Sequence, residues 1–263
     1  MISQFKIQEF MEYFAGSQHN FGEHIYDLKN IKGQKREGRS STIKNKLITI
    51  KNYEDHLSGR TGLGIIPINS QNQCKFTVID VDLYNFNFAA YLAAIDNCNL
   101  PIVPCRSKSG GLHLYTFYRE WTSASKAIKV AKQLAFLLSI DSLVKNQVNR
   151  TVEIFPKQSK LAKGNIGSWI NLPYFDAGSL GGTIIKQGKP LNLDEALYHI
   201  KDSQVLIADV EEVLSDMKYK DAPPCLQLAD ILNSLELDSG RNNYLFSFGV
   251  YLKKKTKKTL FKR

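Results

Sequence analysis

The sequence has few cysteines, and they are placed apart from one another. Its four cysteines form no CxxC pair, and no two of them lie near a histidine at the spacing of zinc ligands. This arrangement excludes a zinc knuckle and indicates free thiols in a reducing cytoplasm. A Walker A loop and internal repeats are also absent, which excludes a P-loop nucleotide site and a repeat architecture.

Long apolar runs are absent as well. No stretch approaches the roughly 20 apolar residues that a transmembrane helix needs, and no basic segment followed by an apolar one opens the chain. We therefore expect a cytoplasmic protein with no membrane partner. Hydrophobic residues make up 43% of the chain and charged residues 23%, which is typical of a soluble globular protein.

Acidic residues are outnumbered by basic ones. The chain has 35 Lys and Arg against 25 Asp and Glu, which gives a formal net charge of +10. Much of the excess lies in two segments, Lys29–Lys46 and Lys253–Arg263. This balance favours a polyanionic partner, in particular nucleic acid or nucleotide. The first segment, taken alone, is equally compatible with a solvated surface.

Six consecutive elements are predicted between Phe76 and Pro156. The β-branched run "FTVIDV" is followed by a helix over "NFAAYLAAIDNC", two strands within "LPIVPCRS" and "LHLYTFY", a helix over "SASKAIKVAKQLAFLLS" and a strand in "RTVEIFP". The order strand, helix, strand, strand, helix, strand is typical of a split βαβ unit with an RRM-like antiparallel sheet. The first strand is apolar on both faces and is therefore predicted to be central.

Further elements are predicted on both sides of this unit. Aromatic residues from Phe5 to Phe14 share one face of an N-terminal helix, and "KLITI" and "GLGIIPI" are predicted strands around a short helix. The basic segment between the N-terminal helix and "KLITI" is predicted to be a loop. A loop rich in Gly and Asn follows Pro156, and helices begin near Leu193. We expect an α+β fold with one domain over residues 1–190 and a helical region over 191–263.

Three carboxylates are predicted to share one face of the sheet. Asp80 and Asp82 lie two residues apart in the central strand, so their side chains project from the same side. Glu153 lies between Val152 and Ile154 and faces away from these apolar neighbours. Such carboxylates suit Mg²⁺ or Mn²⁺, and two ions about 3.5–4 Å apart support phosphoryl transfer. Taken alone, the D-x-D pair and Glu153 are each better explained as solvated strand residues, and it is their combination that favours a metal site.

A polar loop with two glycines precedes the third predicted strand, in "RSKSGGLHLY" from Arg106 to Tyr115. Gly110 and Gly111 permit close approach of the backbone to a ligand, and successive amides in such a turn bind anions. The cations, hydroxyls and imidazole that the segment adds are those of Arg106, Ser107, Lys108, Ser109 and His113. The segment is a candidate triphosphate site; the alternative is a β-hairpin turn beside a core histidine.

Three segments in this order, "VIDVDLY", "RSKSGGLHLYTF" and "VEIFPKQ", resemble the motifs of the archaeo-eukaryotic primase superfamily. Those motifs are a D-x-D strand, a Ser-x-His type loop with its strand, and a late acidic strand. The most similar variety is the primase-polymerase domain of phage replication proteins and TOTE-type conflict systems. The segments "TGLGIIPI" and "GNIGSWINLPY" match as well, so the resemblance spans roughly residues 5 to 185.

The resemblance implies a catalytic domain over residues 1–190, in which an RRM-like antiparallel sheet is paired with an N-terminal α/β module. It also implies a DNA primase or primase-polymerase that builds a strand from nucleoside triphosphates on a single-stranded DNA template during replication. It assigns Asp80, Asp82 and Glu153 as ligands of two Mg²⁺ or Mn²⁺ ions, and Ser109 and His113 as contacts of the incoming triphosphate. The other predicted nucleotide-binding residues are Arg106, Lys108, Gly110, Gly111 and Lys157. The chain departs from the family in lacking zinc-binding cysteines and a helicase domain. We expect a helicase supplied in trans, or a chain that is a piece of a longer primase.

Two other functions are compatible with parts of the sequence. A metal-dependent nuclease or nicking initiator also uses acids with a histidine, but the His-hydrophobe-His motif is absent and no Lys follows Glu153 at the usual two-residue spacing. A non-catalytic single-strand binder on an RRM-like sheet needs exposed aromatic residues, for which Phe117 and Tyr118 are the candidates. That function leaves the three acids unexplained.

Overall fold

The computed structural model describes residues 2–26, 38–82, 88–98, 100–107, 110–138, 140, 152–179 and 182–216. Within these ranges the α-helices are α1 (Gln4–Tyr13), α2 (Ile50–Leu57), α3 (Phe88–Cys98), α4 (Ala124–Leu137), α5 (Leu193–Asp202) and α6 (Ile207–Asp216). The strands are β1 (Phe21–Tyr26), β2 (Gly38–Ile43), β3 (Gly62–Ile65), β4 (Gln73–Val81), β5 (Val103–Arg106), β6 (Leu112–Ser123), β7 (Val152–Phe155), β8 (Ile170–Asn171), β9 (Ile185–Lys186) and β10 (Lys189–Pro190).

Strands β4 to β7 form an antiparallel sheet in the order β5-β6-β4-β7. The chain order β4, α3, β5, β6, α4, β7 confirms the predicted split βαβ unit, and β4 lies inside the sheet as predicted. Ile79 and Val81 of β4 pack in the same apolar cluster as α3 and α4. Phe76 and Val78 point to the opposite face and belong to a second cluster. By the same alternation, Asp80 lies on the face of Phe76 and Val78.

A second antiparallel sheet, in the order β2-β1-β3-β8, belongs to the N-terminal module. Two sequence predictions are wrong here: β2 lies in the basic segment that was predicted as a loop, and "KLITI" forms no strand. Strand β1 was not predicted. Ile50, the last residue of "KLITI", begins α2 instead, because the Thr49 N–H donates to Asn52 Oδ1 at 2.9 Å and caps the helix. Residues 27–37 of the basic segment lie outside the described residues.

The indole of Trp169 lies across the N-terminal sheet. A Cβ built on Gly22 or Gly64 would lie 2.3 Å from the indole ring, and the two glycines are register partners on β1 and β3. The indole Nε1 donates to Thr42 Oγ1 on β2 at 3.1 Å. Both glycines are therefore needed where the ring crosses the strands. The contact of Gly64 with Trp169 brings together "TGLGIIPI" and "GNIGSWINLPY", two segments that also match the family named above.

The N-terminal module packs on the face of the β4–β7 sheet that carries Asp80. The Phe14 ring, directly after α1, lies with its centroid 5.6 Å from that of Phe76, 5.6 Å from Tyr115 and 5.3 Å from Phe117. All four rings are buried. The same face therefore carries an aromatic joint between the N-terminal module and the β4–β7 sheet and, next to this joint, the candidate site.

Helices α5 and α6 pack against the two apolar clusters. Helix α5 begins at Leu193, as predicted, where the Glu195 N–H donates to the capping Asn192 Oδ1 at 3.0 Å. The boundary predicted after residue 190 stays a prediction. The later predicted helices and the basic segment Lys253–Arg263 lie outside the described residues. Among the helices that the structure describes, none has the length and apolar character needed to cross a bilayer.

Candidate functional site

Asp80, His113 and Glu153 form a row across three adjacent strands. The register pairs Asp80 of β4 with His113 of β6 on one side and with Glu153 of β7 on the other. Directly opposed residues of antiparallel strands share a face of the sheet. Two of the three predicted carboxylates thus lie next to each other, with the predicted histidine on the far side of Asp80.

His113 is held between two polar groups. Its Nε2 lies 3.3 Å from Asp80 Oδ1, and its Nδ1 lies 3.4 Å from the Tyr115 hydroxyl. A proton on Nε2 faces the carboxylate and leaves Nδ1 to accept from the hydroxyl, so this network favours the Nε2–H tautomer. The imidazole is only 9% exposed, and burial raises the pKa of Tyr115 well above its ordinary value. Tyr115 is therefore a neutral donor that orients the ring.

Glu153 has a cationic partner from its own strand end. Lys157 Nζ lies 2.7 Å from Glu153 Oε1 and 5.0 Å from the centroid of the Phe155 ring. Within the part of the chain that the structure describes, no group of three His, Cys, Asp or Glu side chains is placed to hold a metal ion. In this arrangement Asp80 lies next to the imidazole of His113, and Glu153 forms an ion pair with Lys157.

The glycine loop packs against the end of β4. A Cβ on Gly111 would lie 3.0 Å from the Val81 carbonyl oxygen, 3.2 Å from Ser107 Oγ and 3.6 Å from Asp82 Oδ1. The Gly110 N–H donates to the Ser107 carbonyl at 3.0 Å, and Gly110 has a φ of +90°. Glycine is required at 110 by the left-handed backbone and at 111 by this close approach. The loop is the turn of the β5–β6 hairpin, and it lies beside Asp82.

Arg106 lies at the base of this loop, but its side chain points to the face of the sheet that packs on α3, opposite to Asp80, because its register partner is Leu112. Its guanidinium carbon lies 3.8 Å from the centroid of the Phe88 ring. Its Nη1 is buried and has no hydrogen-bond partner among the described residues. Burial lowers the pKa of the guanidinium below its ordinary value. A partly desolvated cation with an unused donor is suited to bind an anion such as phosphate.

Two predicted contacts, Lys108 and Ser109, lie outside the described residues, and their roles stay predictions. Sequence reasoning missed Tyr115 and Phe88. The "H-x-Y" spacing at His113 offered a signal for Tyr115, because residues two apart in a strand share a face. Phe88 gave no such signal, since its stacking on Arg106 joins a helix to a strand that is distant in sequence.

The carboxylates of the predicted donor set are of the right chemical type for a divalent cation, although the described side chains are not grouped to hold one in this structure. Asp80 and Glu153 are opposed on adjacent strands, where Cβ atoms lie about 4.5–5.5 Å apart, and Asp82 follows at the end of β4. All three offer carboxylate oxygens, the ligands that Mg²⁺ and Mn²⁺ prefer. Movement of Lys157 away from Glu153 would free the third carboxylate for such an ion.

Comparison with known families and structures gives one extended match. The model of the archaeo-eukaryotic primase domain of TOTE conflict systems matches residues 5–219. No curated protein matches the chain significantly.

Several solved structures are similar at low identity. One is the archaeo-eukaryotic primase domain of the cyanophage S-2L primase-polymerase, 13% identical, covering 74% of this chain and 97% of that one with a TM-score of 0.38. Another is the polymerase domain of Mycobacterium tuberculosis Ligase D in complex with DNA, 16% identical, covering 78% and 91% with a TM-score of 0.41. A third is the catalytic domain of primase RepB′ in complex with initiator DNA, 12% identical, covering 82% and 98% with a TM-score of 0.33.

Proposed function

The chain belongs to the archaeo-eukaryotic primase domain family of TOTE conflict systems, and from this premise we propose that it is a DNA primase-polymerase. It joins nucleoside triphosphates on a single-stranded DNA template, using Mg²⁺ or Mn²⁺. It acts in DNA replication, in a phage or other mobile element, beside a helicase supplied by another chain. Membership of the family supports nucleotidyl transfer in general. The primase activity, the metal ion and the partners are what we propose beyond it.

The proposal rests on two neighbouring features, a row of polar residues on one sheet face and the glycine loop beside it. The row of Asp80, His113 and Glu153 supplies carboxylates on one sheet face. The glycine loop packs against the strand end at Asp82, and we infer that polar groups of this turn contact an anion. Phosphoryl transfer depends mainly on positioning and charge stabilisation, and these two parts suit the two ends of a triphosphate.

Each residue has a defined task in this proposal. Asp80, Asp82 and Glu153 would hold the divalent metal, which when bound stabilises charge on the attacking and leaving oxygens. His113, oriented by Tyr115, faces Asp80 with its Nε2 proton in this structure and would turn this proton to a phosphate oxygen when the nucleotide binds. Arg106 points to the opposite face of the sheet, where it stacks on Phe88 of α3, and its predicted nucleotide contact stays a prediction.

The alternative of a non-catalytic single-strand binder is disfavoured by burial. Phe117 and Tyr118, the aromatic residues that such a function needs, are 1% and 0% exposed. Phe117 contacts Phe14 and is covered by the N-terminal module. A base cannot stack on rings that are packed in the core, so the sheet does not present the platform that RRM-type binding requires.

Incubation with a single-stranded template tests the function directly. The protein is supplied with Mg²⁺ or Mn²⁺ and either ribonucleotides or deoxyribonucleotides, with and without a primer. We expect products whose sequence follows the template. Shortened template in the absence of nucleotides would instead indicate a nuclease. Retarded template with neither product would indicate a binder.

His113→Ala is expected to raise the KM for the nucleoside triphosphate about tenfold or more, because it removes a buried hydrogen-bonding group beside the phosphates. Affinity for the template should change little. Steady-state incorporation gives the KM, and fluorescence anisotropy gives the template affinity. His19→Ala is the matched control, since His19 is exposed and outside the row. An unchanged KM would remove His113 from the nucleotide site.

Lys157→Met is expected to tighten Mn²⁺ binding about two- to fivefold, because a half-exposed ion pair of this kind competes for Glu153 with less than about 1 kcal/mol. Electron paramagnetic resonance of free Mn²⁺ measures this affinity without any turnover. Lys157→Arg retains the cation and should bind Mn²⁺ as the native chain does. Lys163→Met is the control for net charge, since Lys163 is an exposed lysine after the same strand. Equal tightening in Lys163→Met would assign the effect to net charge and not to Glu153.

A further inference from the structure

A groove of about 620 Å³ lies on the outer side of α4, away from the face that carries Asp80. Its walls include two lysines, two serines, an amide and an aromatic ring, contributed by Ser125, Lys129, Lys132, Gln133, Phe136 and Ser159. We call this feature the α4 groove. All but one of these residues come from a single helix, and Ser159 comes from the segment after β7.

The α4 groove follows from the two-sided pattern of the helix. Residues at positions 127, 130, 131 and 134 are buried in the cluster under the sheet. Positions 125, 129, 132 and 136 recur at intervals of three and four and form a continuous exposed stripe on the other side. The stripe is therefore a preformed surface on a regular helix.

The charges of the stripe are uncompensated. Lys126, on the flank, lies 3.6 Å from Glu211 of α6. Lys129 and Lys132, by contrast, have no acidic partner within ion-pair distance in the described ranges. With a formal net charge of +10 on the whole chain, this groove attracts a polyanion.

The exposed ring of Phe136 favours single-stranded nucleic acid over other polyanions. Phe136 is 40% exposed at the end of the stripe, one helical turn beyond Lys132. Single-stranded nucleic acid is bound by cationic grooves that track phosphates and by aromatic rings on which bases stack. A duplex keeps its base faces stacked inside and offers only phosphates to such a surface.

The position of the groove relates it to the candidate site. Ser159 lies two residues after Lys157, which contacts Glu153. Strand β7 is at the edge of its sheet as the structure describes it. The segment from 155 to 159 therefore leads around this edge from the candidate site to the α4 groove.

We propose that the α4 groove binds single-stranded nucleic acid outside the active site, with Lys129 and Lys132 on phosphates and Phe136 against a base. The inference deepens the proposed function and rests on it for the identity of the strand, which would be the template. The strand then passes around the β7 edge before it reaches the carboxylates.

Fluorescence anisotropy with a labelled single-stranded oligonucleotide tests the proposal. We expect the double variant Lys129→Glu, Lys132→Glu to bind at least tenfold more weakly near 0.1 M salt. The slope of log K against log salt should become shallower by about 1.4, which corresponds to two lost phosphate contacts on a single strand. Phe136→Ala should weaken binding about fivefold with no change of slope. Both lysines are exposed, so circular dichroism should be unchanged.

The control is Lys189→Glu, Lys201→Glu, which changes the net charge equally through exposed lysines elsewhere. An equal loss in this control, or an equal effect of the α4 variants on a duplex of the same sequence, would overturn the proposal. So would loss of binding to anionic vesicles with the single strand still bound normally. Nucleotide incorporation at saturating template tests the proposed function separately from the α4 groove. The α4 variants should keep the native kcat there, because excess template offsets their weaker binding. If the native chain incorporates nothing, the proposed function fails while the anisotropy result still decides the groove.

Discussion

Asp80→Asn is expected to lower the rate of nucleotide incorporation at least about 10³-fold, which corresponds to roughly 4 kcal/mol of transition-state stabilisation. The substitution keeps the shape of the side chain and its contact with His113 but removes the charge. Asp80 is the centre of the row, opposed to His113 and to Glu153. A neutral amide there would weaken both the hold on a divalent metal and the orientation of the imidazole. Single-turnover primer extension with saturating Mg²⁺ measures the loss, and Asp82→Ala should also abolish incorporation.

Asp202→Asn is the control for this prediction, because Asp202 is an exposed residue at the end of α5. It should incorporate nucleotides at the native rate. The circular dichroism spectrum of Asp80→Asn should match that of the native chain, since loss of a carboxylate from the partly exposed end of a strand leaves the core intact. Full activity in Asp80→Asn would contradict the metal-ligand role and, with it, the proposed mechanism.

The candidate site could be predicted from the sequence only as separate pieces. The period of two along a strand placed Asp80 and Asp82 on one side and turned Glu153 away from Val152 and Ile154. It could not show that Asp80 is directly opposed to Glu153. Strand register depends on packing between segments that are far apart in sequence. The contact of His113 with Asp80 follows from the same register, and the ion pair of Lys157 with Glu153 follows from the strand end.

The fold was predictable where the apolar pattern was strong. The β4–β7 unit has β-branched strands and helices with clear apolar faces, and its order was predicted correctly. Strand β2, "GRSSTI", is polar and mostly exposed, and its strand conformation results from pairing with β1. "KLITI" alternates like a strand, yet capping at Thr49 turns its end into α2. In both segments tertiary pairing or capping outweighs local propensity.

The burial of the aromatic face of α1 could also be predicted only in part. The predicted stripe from Phe5 to Phe14 is buried at Phe10, Tyr13 and Phe14 but is 73% exposed at Phe5. Helical spacing predicts which residues share a face. It does not predict how far the neighbouring sheet extends beneath that face.

Phe14→Ala is expected to lower the free energy of unfolding by about 3–5 kcal/mol. The Phe14 ring is fully buried and contacts the rings of Phe76, Tyr115 and Phe117. Its removal leaves a cavity at the joint between the N-terminal module and the site-bearing sheet, and rigid strands cannot close it. Urea unfolding followed by circular dichroism measures the change, with the slope against urea concentration expected to stay constant.

Phe5→Ala is the matched control, because the same substitution at an exposed position of the same helix should change the unfolding free energy by less than about 0.5 kcal/mol. Equal losses in the two variants would contradict the packing described for the joint. A further consequence connects stability to the site. Tyr115 packs on Phe14 and hydrogen-bonds to His113, so a cavity beneath Tyr115 loosens the imidazole. Folded Phe14→Ala should therefore also show a raised KM for the triphosphate, whereas Phe5→Ala should not.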